Sequence, residues 1–176
     1  MKKNKILIVV LLAQLFFIGS VQAACDLQSF RFGISHKALM DKLKLDDFYV
    51  MPKIVGASKQ EVYAPGEKVC KNEKSFEGAG IEFVLLYDKL VEIQISKLSE
   101  SPSLVNWAES VFGVKPDKPT NFYDSKPNAQ WLWVDPKSVV YYSIEPDANS
   151  LLEMVVIQSR NHQSYFSKFG KEQEEQ

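Results

Sequence analysis

Two cysteines carry the best-defined chemistry in this sequence, and Cys25 and Cys70 are the only cysteines that it contains. In an oxidising compartment, an isolated cysteine pair predicts a structural disulfide. Closing a loop of about 46 residues would stabilise the fold by about 4 kcal/mol in the chain-entropy model. A catalytic redox pair is typically spaced Cys-x-x-Cys, and these two residues are much farther apart. We therefore predict a Cys25–Cys70 disulfide.

The two histidines, His36 and His162, are the next residues with the potential for chemistry. Neither belongs to a metal-site spacing such as His-x-x-x-His or His-Glu-x-x-His. The sequence also lacks a Gly-x-Ser-x-Gly turn that would present a serine nucleophile. We therefore predict no metal, no cofactor and no catalytic residue. An enzyme of unrecognised type, acting on cell-wall or peptide substrates, is kept as an alternative.

A dense group of aromatic residues is the candidate binding feature. In a strand, Trp131 and Trp133 would point to one face of the sheet and Leu132 and Val134 to the other. One interpretation places this strand centrally in the core, beneath a neighbouring helix. The other leaves the tryptophan face partly open, so that flat amphipathic rings could hold a protein, peptide or glycan. The candidate binding residues are Phe122, Tyr123, Trp131, Trp133 and Tyr141.

Residues 1–23 have the composition of a cleavable secretory signal peptide. Three lysines precede an apolar run over residues 6–18, and small residues end at Ala23. That run is shorter than the roughly 18 to 20 residues needed to span a hydrocarbon core, so we predict no stable membrane span after cleavage. We expect an exported protein that is periplasmic, with full secretion from the cell as an alternative.

Lipidation of Cys25 is a second interpretation of the same region. In a lipoprotein signal, the residue three positions before the lipidated cysteine is aliphatic. Here that residue is Gln22, which is polar. Cleavage after Ala23 therefore fits the sequence better than anchoring through Cys25. An envelope lipoprotein anchored at this cysteine stays as an alternative.

Charge and length restrict the class of partner. Removing Lys2, Lys3 and Lys5 with the signal shifts the formal net charge from −1 to about −4. A mildly acidic chain argues against nucleic acid or an anionic membrane surface as the main partner. About 150 mature residues fit a single domain with a real core. The polar residues 171–176 predict a frayed tail.

The first half of the mature sequence predicts one helix followed by strands. Ser35 can cap a helix whose apolar stripe contains Leu39 and Leu43. Residues 48–69 predict one or two short strands, and residues 81–96 predict an antiparallel hairpin.

The hairpin over residues 81–96 also gives a turn and two faces. Its turn is predicted at Asp88-Lys89. Glu82 and Glu92 are predicted on its solvated face, since acidic side chains in a strand mostly face water.

The second half repeats the same order of elements. Residues 102–112 predict an amphipathic helix that ends at Gly113. Residues 129–158 predict a three-stranded meander with strands at 129–134, 138–145 and 151–158. A final amphipathic segment predicts a short C-terminal helix docked on the sheet through Tyr165, Phe166 and Phe169.

This element order predicts an α+β fold. We expect two helix-then-antiparallel-strand units that form one compact domain over residues 24–170. The two units correspond to residues 24–97 and 98–170.

The lead from Phe32-Gly33 through Ser35 into a helix with Leu39 and Leu43, followed by a hairpin, resembles the unit of small secreted bacterial domains. Such domains include the beta-lactamase-inhibitor-protein-like fold and the small outer-membrane assembly lipoproteins of the SmpA/OmlA type. The resemblance covers residues 30–96, with a vaguer echo over 101–158. It implies binding to other proteins of the envelope and assigns no functional residue.

The functional expectation combines these points. We expect an exported, non-catalytic binding protein of the bacterial cell envelope, acting as an adaptor, inhibitor or assembly accessory. Its partner is expected to be another envelope protein or peptide, and not a nucleic acid.

Overall fold

Seven antiparallel strands form one sheet in the order β1-β2-β3-β4-β7-β6-β5. The computed structural model describes residues 25, 27–46, 51–55, 58–115, 129–147 and 149–175. The predicted signal peptide, residues 1–23, lies outside the described residues. The strands are β1 Met51–Val55, β2 Lys59–Pro65, β3 Gly80–Leu86, β4 Lys89–Ser99, β5 Ala129–Val134, β6 Ser138–Asp147 and β7 Ser150–Ser159.

Helices lie on both faces of this sheet, so the predicted α+β class is confirmed. The C-terminal helix is also present. The α-helices are α1 His36–Leu43, the single turn α2 Gly66–Val69, α3 Leu104–Phe112 and α4 Gln163–Glu174, and short 3-10 helices lie at Leu27–Ser29, Lys74–Phe76 and Arg160–His162. Among the described residues, no helix is long and apolar enough to cross a membrane.

Helix α1 begins at the predicted cap. The Ser35 hydroxyl accepts a hydrogen bond from the Ala38 amide at 3.3 Å, which satisfies one of the amides that a first turn leaves unpaired. Leu39 and Leu43 are buried against the sheet. Lys44 ends the helix in the left-handed conformation, with φ of 48°.

The β3–β4 hairpin turns one residue earlier than predicted. Tyr87 and Asp88 have φ values of 51° and 59°, a left-handed pair that matches the twist of the two strands. Lys89 pairs with Leu86 and so belongs to β4. A register shift next to Val84 leaves Val91 as the extra residue of the longer strand.

The two halves of the chain join through the pairing of β4 with β7. Ile93 lies opposite Ile157 and Ile95 opposite Val155, and all four side chains are buried. We call this side of the sheet the inner face, and α1 and α3 cover it. Because the apolar residues continue across the junction, one core serves both halves.

Helix α3 begins two residues later than predicted because a residue from another element caps it. The buried Glu153 carboxylate of β7 accepts hydrogen bonds from the Ser103 amide at 2.8 Å and from the Leu104 amide at 3.0 Å. It also accepts one from the Tyr142 hydroxyl at 2.9 Å. Gly113, with φ of 94°, ends the helix as predicted.

Helix α4 packs on the opposite side of the sheet, which we call the outer face. It covers Val84, Leu86 and Val91 in the first half through Tyr165, Phe166 and Phe169. The helix continues to Glu174, and the Glu172 carboxylate accepts a hydrogen bond from the Ser58 hydroxyl at 2.7 Å. The frayed tail predicted for residues 171–176 is therefore helical through Glu174.

The predicted disulfide is present between Cys25 and Cys70. It ties the beginning of the described chain to the residue after α2. The Cys25 carbonyl also accepts a hydrogen bond from the Trp107 indole of α3 at 3.0 Å. The segment at Cys25 is thus held by both halves of the domain.

Candidate functional site

Strand β5, which carries the predicted aromatic site, lies at the edge of the sheet. Within the described residues it pairs with β6 alone. The interpretation that placed this strand centrally is therefore wrong about its position. Strand order depends on the long-range pairing of β4 with β7, and no local pattern in β5 reports that pairing.

The two tryptophans of β5 lie on one face of the sheet, as their alternation predicts, and this is the inner face, where the end of helix α3 lies next to Trp133. Trp133 is only 8% exposed, and its indole nitrogen donates to the Gly113 carbonyl at 2.9 Å. Trp131 is half-buried, and the Lys115 ammonium lies 5.1 Å from its ring centre. The structure does not present these two rings as an open platform.

Of the remaining candidate binding residues, Tyr141 is described by the structure, and it does not lie on the face of the tryptophans. Tyr141 of β6 pairs with Leu132 and therefore lies on the outer face, whereas Trp131 and Trp133 lie on the inner one. Phe122 and Tyr123 lie outside the described residues. A role in binding for this five-residue set stays a prediction.

The outer face of β5, β6 and β7 is an apolar surface outside the cluster that helix α4 covers. Tyr141 lies at its centre, opposite Leu132 on one side and Val156 on the other. Helix α4 covers only the β3–β4 part of the outer face. We call the uncovered part the open outer face, which consists of Leu132, Val134, Val139, Tyr141, Leu152, Met154 and Val156.

Exposure differs across the open outer face. Val134 at the sheet edge is 59% exposed, and the other six side chains are half-buried among their neighbours. Leu98 of β4, which lies opposite Leu152, is also 59% exposed. Monomeric proteins rarely expose a large contiguous apolar patch, and such patches often mark a binding surface.

Three carboxylates, of Glu61, Glu82 and Glu92, lie on the outer face of β2, β3 and β4, respectively. Glu92 was predicted on a solvated face, yet it is only 7% exposed and accepts hydrogen bonds from Gln94 and Gln158. One donor lies on the same strand and the other on the neighbouring strand β7, so protein side chains hydrogen-bond to both oxygens of this carboxylate. Glu82 is half-buried.

Burial and mutual repulsion change the protonation of this group. Burial raises the pKa of Glu82, and the charges of Glu61 and Glu92 raise it further, against a hydrogen bond from Tyr63 and the charge of Lys59. Burial also raises the pKa of Tyr63, with Glu61 and Glu82 adding to the effect. In the described part of the chain, no group of three or more His, Cys, Asp or Glu residues is placed to hold a metal ion.

A cavity of about 430 Å³ lies on the inner side of the sheet, where β6 begins and β7 ends. The N-terminal segment forms one wall, and the turn before β6 and the residues after β7 form the other. Its lining residues are Arg31, Phe32, Lys137, Ser138, Ser159, Asn161 and His162.

A serine and a histidine are hydrogen-bonded in this cavity, and this arrangement resembles part of a catalytic pair. The Ser159 hydroxyl lies 2.7 Å from Nδ1 of His162, but Ser159 is only 1% exposed. Burial lowers the pKa of His162, and the nearby Lys89 lowers it further. No described carboxylate hydrogen-bonds to this imidazole, so the pair lacks the orienting group of an acyl-transfer triad.

A second cavity, of about 360 Å³, lies on the other side of the β5–β6 turn. The side chains of Val111, Phe112 and Trp133 form its apolar wall, and Lys137 lies between the two cavities. Trp133 is thus a wall residue of a cavity and not part of an exposed patch.

The pair Trp133 and Tyr141 shows how alternation predicts opposite faces without predicting which face is covered.

The fold and these surfaces define an α+β protein with an open apolar sheet face and a cation-lined cavity. Comparison of the chain with known protein families, with curated proteins and with solved structures yields no match.

Proposed function

We propose that this chain is an exported, periplasmic, non-catalytic binding protein of the bacterial cell envelope. It binds another envelope protein or a peptide without forming a covalent bond. The observation that carries the proposal is the open outer face, an apolar surface on β5, β6 and β7 of the same sheet whose β3–β4 part helix α4 covers.

The chemistry of the open outer face suits a protein partner better than a small polar ligand. Tyr141 offers a ring with a polar end, and Leu132 and Val156 lie beside it on the neighbouring strands. Burying such side chains favours association in proportion to the apolar area removed from water. A tyrosine surrounded by aliphatic side chains is typical of the residues that dominate protein interfaces.

The disulfide supports export and argues against anchoring through Cys25. Disulfides persist in oxidising compartments such as the periplasm. The sulfur of Cys25 is bonded to Cys70, and a sulfur in that bond cannot carry a lipid thioether. Mass spectrometry of the mature protein tests this: we expect a chain that begins at Ala24, carries no lipid and is two hydrogens lighter than its reduced form.

Site-specific cross-linking in cells tests the binding surface. A photoreactive amino acid at Tyr141 should yield one discrete cross-linked partner, because this residue lies at the centre of the open outer face. The same probe at Asn106, which is exposed on helix α3 on the other side of the sheet, should yield none.

A charge placed on the same surface tests whether that partner binds there. Val156→Lys should weaken the purified complex by about 10- to 100-fold, because a buried, unpaired charge is costly at an interface. Asn106→Lys adds the same charge elsewhere and should leave affinity unchanged. Equal affinity for both variants, with each shown to be folded by circular dichroism, would refute binding through the open outer face.

A further inference from the structure

The cavity of about 430 Å³, where β6 begins and β7 ends, concentrates positive charge in a protein whose overall formal charge is negative. Arg31 of the N-terminal segment and Lys137 of the β5–β6 turn both line it. Within the described part of the chain, neither side chain lies within salt-bridge distance of a carboxylate. Lys89 is a third cation close enough to lower the pKa of His162.

Asp135, the acidic residue two positions before Lys137, has its carboxylate engaged within its own turn. Asp135 accepts hydrogen bonds from the Lys137 amide at 2.6 Å and from the Ser138 amide at 2.8 Å, and a third from the Ser138 hydroxyl. Burial raises the pKa of Asp135, but these hydrogen bonds outweigh it and the pKa is lowered overall. The carboxylate therefore stabilises its own turn, and it forms no ion pair with Arg31 or Lys137.

Neutral groups complete the lining. The exposed Asn161 side-chain amide makes no hydrogen bond within the described residues, so it is free to donate to a ligand. His162 is held in place by Ser159 and by the approach of Gly33, where an added Cβ would lie 3.0 Å from its Nε2 atom. The Phe32 ring is the apolar part of the wall.

We propose that this cavity binds a small organic anion that carries a carboxylate or a phosphate group. Arg31 and Lys137 pair with the anionic group, and the planar guanidinium of Arg31 can hold two of its oxygens at once. Asn161 donates a further hydrogen bond, and Phe32 packs against the uncharged part of the ligand. A volume of about 430 Å³ exceeds that of an inorganic ion and lies in the range of small-molecule sites.

Isothermal titration calorimetry on the oxidised mature protein tests the proposal with four probes. Inorganic phosphate, glycerol 3-phosphate and N-acetylalanylalanine carry the proposed anionic groups, and the C-terminal amide of the dipeptide is the uncharged control. We expect saturable binding of at least one organic anion below about 10 mM and no binding of the amide. The tighter of glycerol 3-phosphate and the dipeptide identifies the anionic group as phosphate or carboxylate.

Variants connect that binding to the cavity. Arg31→Gln and Lys137→Gln should each weaken the bound probe by about 10-fold, and the double variant by about 100-fold. Lys71→Gln removes the same charge from an exposed residue near the disulfide and should change affinity by less than about 2-fold. Nearly equal losses in all variants, binding of the amide as tight as that of the acid, or no binding of any probe would each overturn the proposal.

Discussion

At the scale of single residues, the most consequential group is the buried carboxylate of Glu153. It satisfies two amides at the start of helix α3 and the hydroxyl of Tyr142. Burial of Tyr142 raises the pKa of its hydroxyl, and the negative charge of Glu153 raises it further. A sequence pattern gives no sign of this contact, because the acceptor comes from β7, far along the chain from the helix that it caps.

Replacing that carboxylate should destabilise the protein strongly. Glu153→Ala leaves two buried donors, the Leu104 amide and the Tyr142 hydroxyl, and the part-buried Ser103 amide without this acceptor, and we expect a loss of about 3 kcal/mol in the free energy of unfolding. Glu145→Ala, on the outer face of β6, should cost less than about 0.5 kcal/mol. Urea denaturation of both variants measures the difference, and equal midpoints would show that the cap does not stabilise helix α3.

The raised pKa of Glu82 predicts that the stability of the protein depends on pH. Its pKa is raised above 4.5, by burial first and also by Glu61 and Glu92. The folded protein therefore binds this proton more tightly than the unfolded chain, so the stabilising contribution is present below pH 4.5 and is lost as the pH rises through the folded-state pKa. At pH 7 the ionised carboxylate destabilises the fold.

Glu82→Gln should therefore raise the urea midpoint at pH 7, and the gain should shrink toward zero as the pH falls to about 4. Glu145→Gln removes the same charge outside the carboxylate group and serves as the matched control. A gain for Glu82→Gln that is equal at both pH values would mean that burial of the ionised form is not its cause.

At the scale of elements, local patterns predicted most strands well and their arrangement poorly. The meander was expected at 129–134, 138–145 and 151–158, and β5, β6 and β7 lie at those positions to within two residues. Alternation and turn residues are local signals, which is why they were informative. The edge position of β5 depends on Ile93 pairing with Ile157, a contact that neither strand signals alone.

The candidate sites show the same limit. Arg31 and Lys137 are far apart in the sequence, and only the packing of the N-terminal segment near the β5–β6 turn brings them to one cavity. The open outer face could not be predicted either, because Leu132 and Tyr141 have the same pattern whether or not a helix covers them. The position of helix α4 settles this, because the helix packs on the β3–β4 part of the outer face and not on β5 and β6.

A pair of substitutions separates the two faces of the β5–β6 hairpin. Trp133→Ala removes a side chain that is 8% exposed and hydrogen-bonded to Gly113, so we expect a loss of about 3 to 5 kcal/mol in stability. Tyr141→Ala removes a half-buried side chain from the open outer face, and we expect a loss of about 1 kcal/mol or less.

The two substitutions should also differ in their effect on binding. Tyr141→Ala should weaken the proposed partner complex while leaving the circular dichroism spectrum unchanged. Trp133→Ala should change binding only as far as it unfolds the protein. A stable Trp133→Ala protein that loses the partner would instead assign the interface to the inner face.

At the scale of the whole molecule, the segment at Cys25 links the two halves of the chain at a second place, in addition to the pairing of β4 with β7. Cys25 is bonded to Cys70 of the first half, and its carbonyl accepts a hydrogen bond from Trp107 of the second half. The sheet joins the same halves through β4 and β7. Unfolding is therefore expected to be a single cooperative transition, since neither half has a core of its own.

Removing the disulfide should lower stability without changing the fold. The bond joins residues 45 positions apart, and the chain-entropy model assigns about 4 kcal/mol to a loop of that size. That is a large share of the roughly 5 to 15 kcal/mol typical of a domain. A Cys25→Ser/Cys70→Ser variant and the wild type in reducing agent should show the same lowered urea midpoint, while wild type in the absence of reductant keeps the higher one. A wild-type midpoint that does not respond to reductant would mean that this bond contributes no stability to the folded protein.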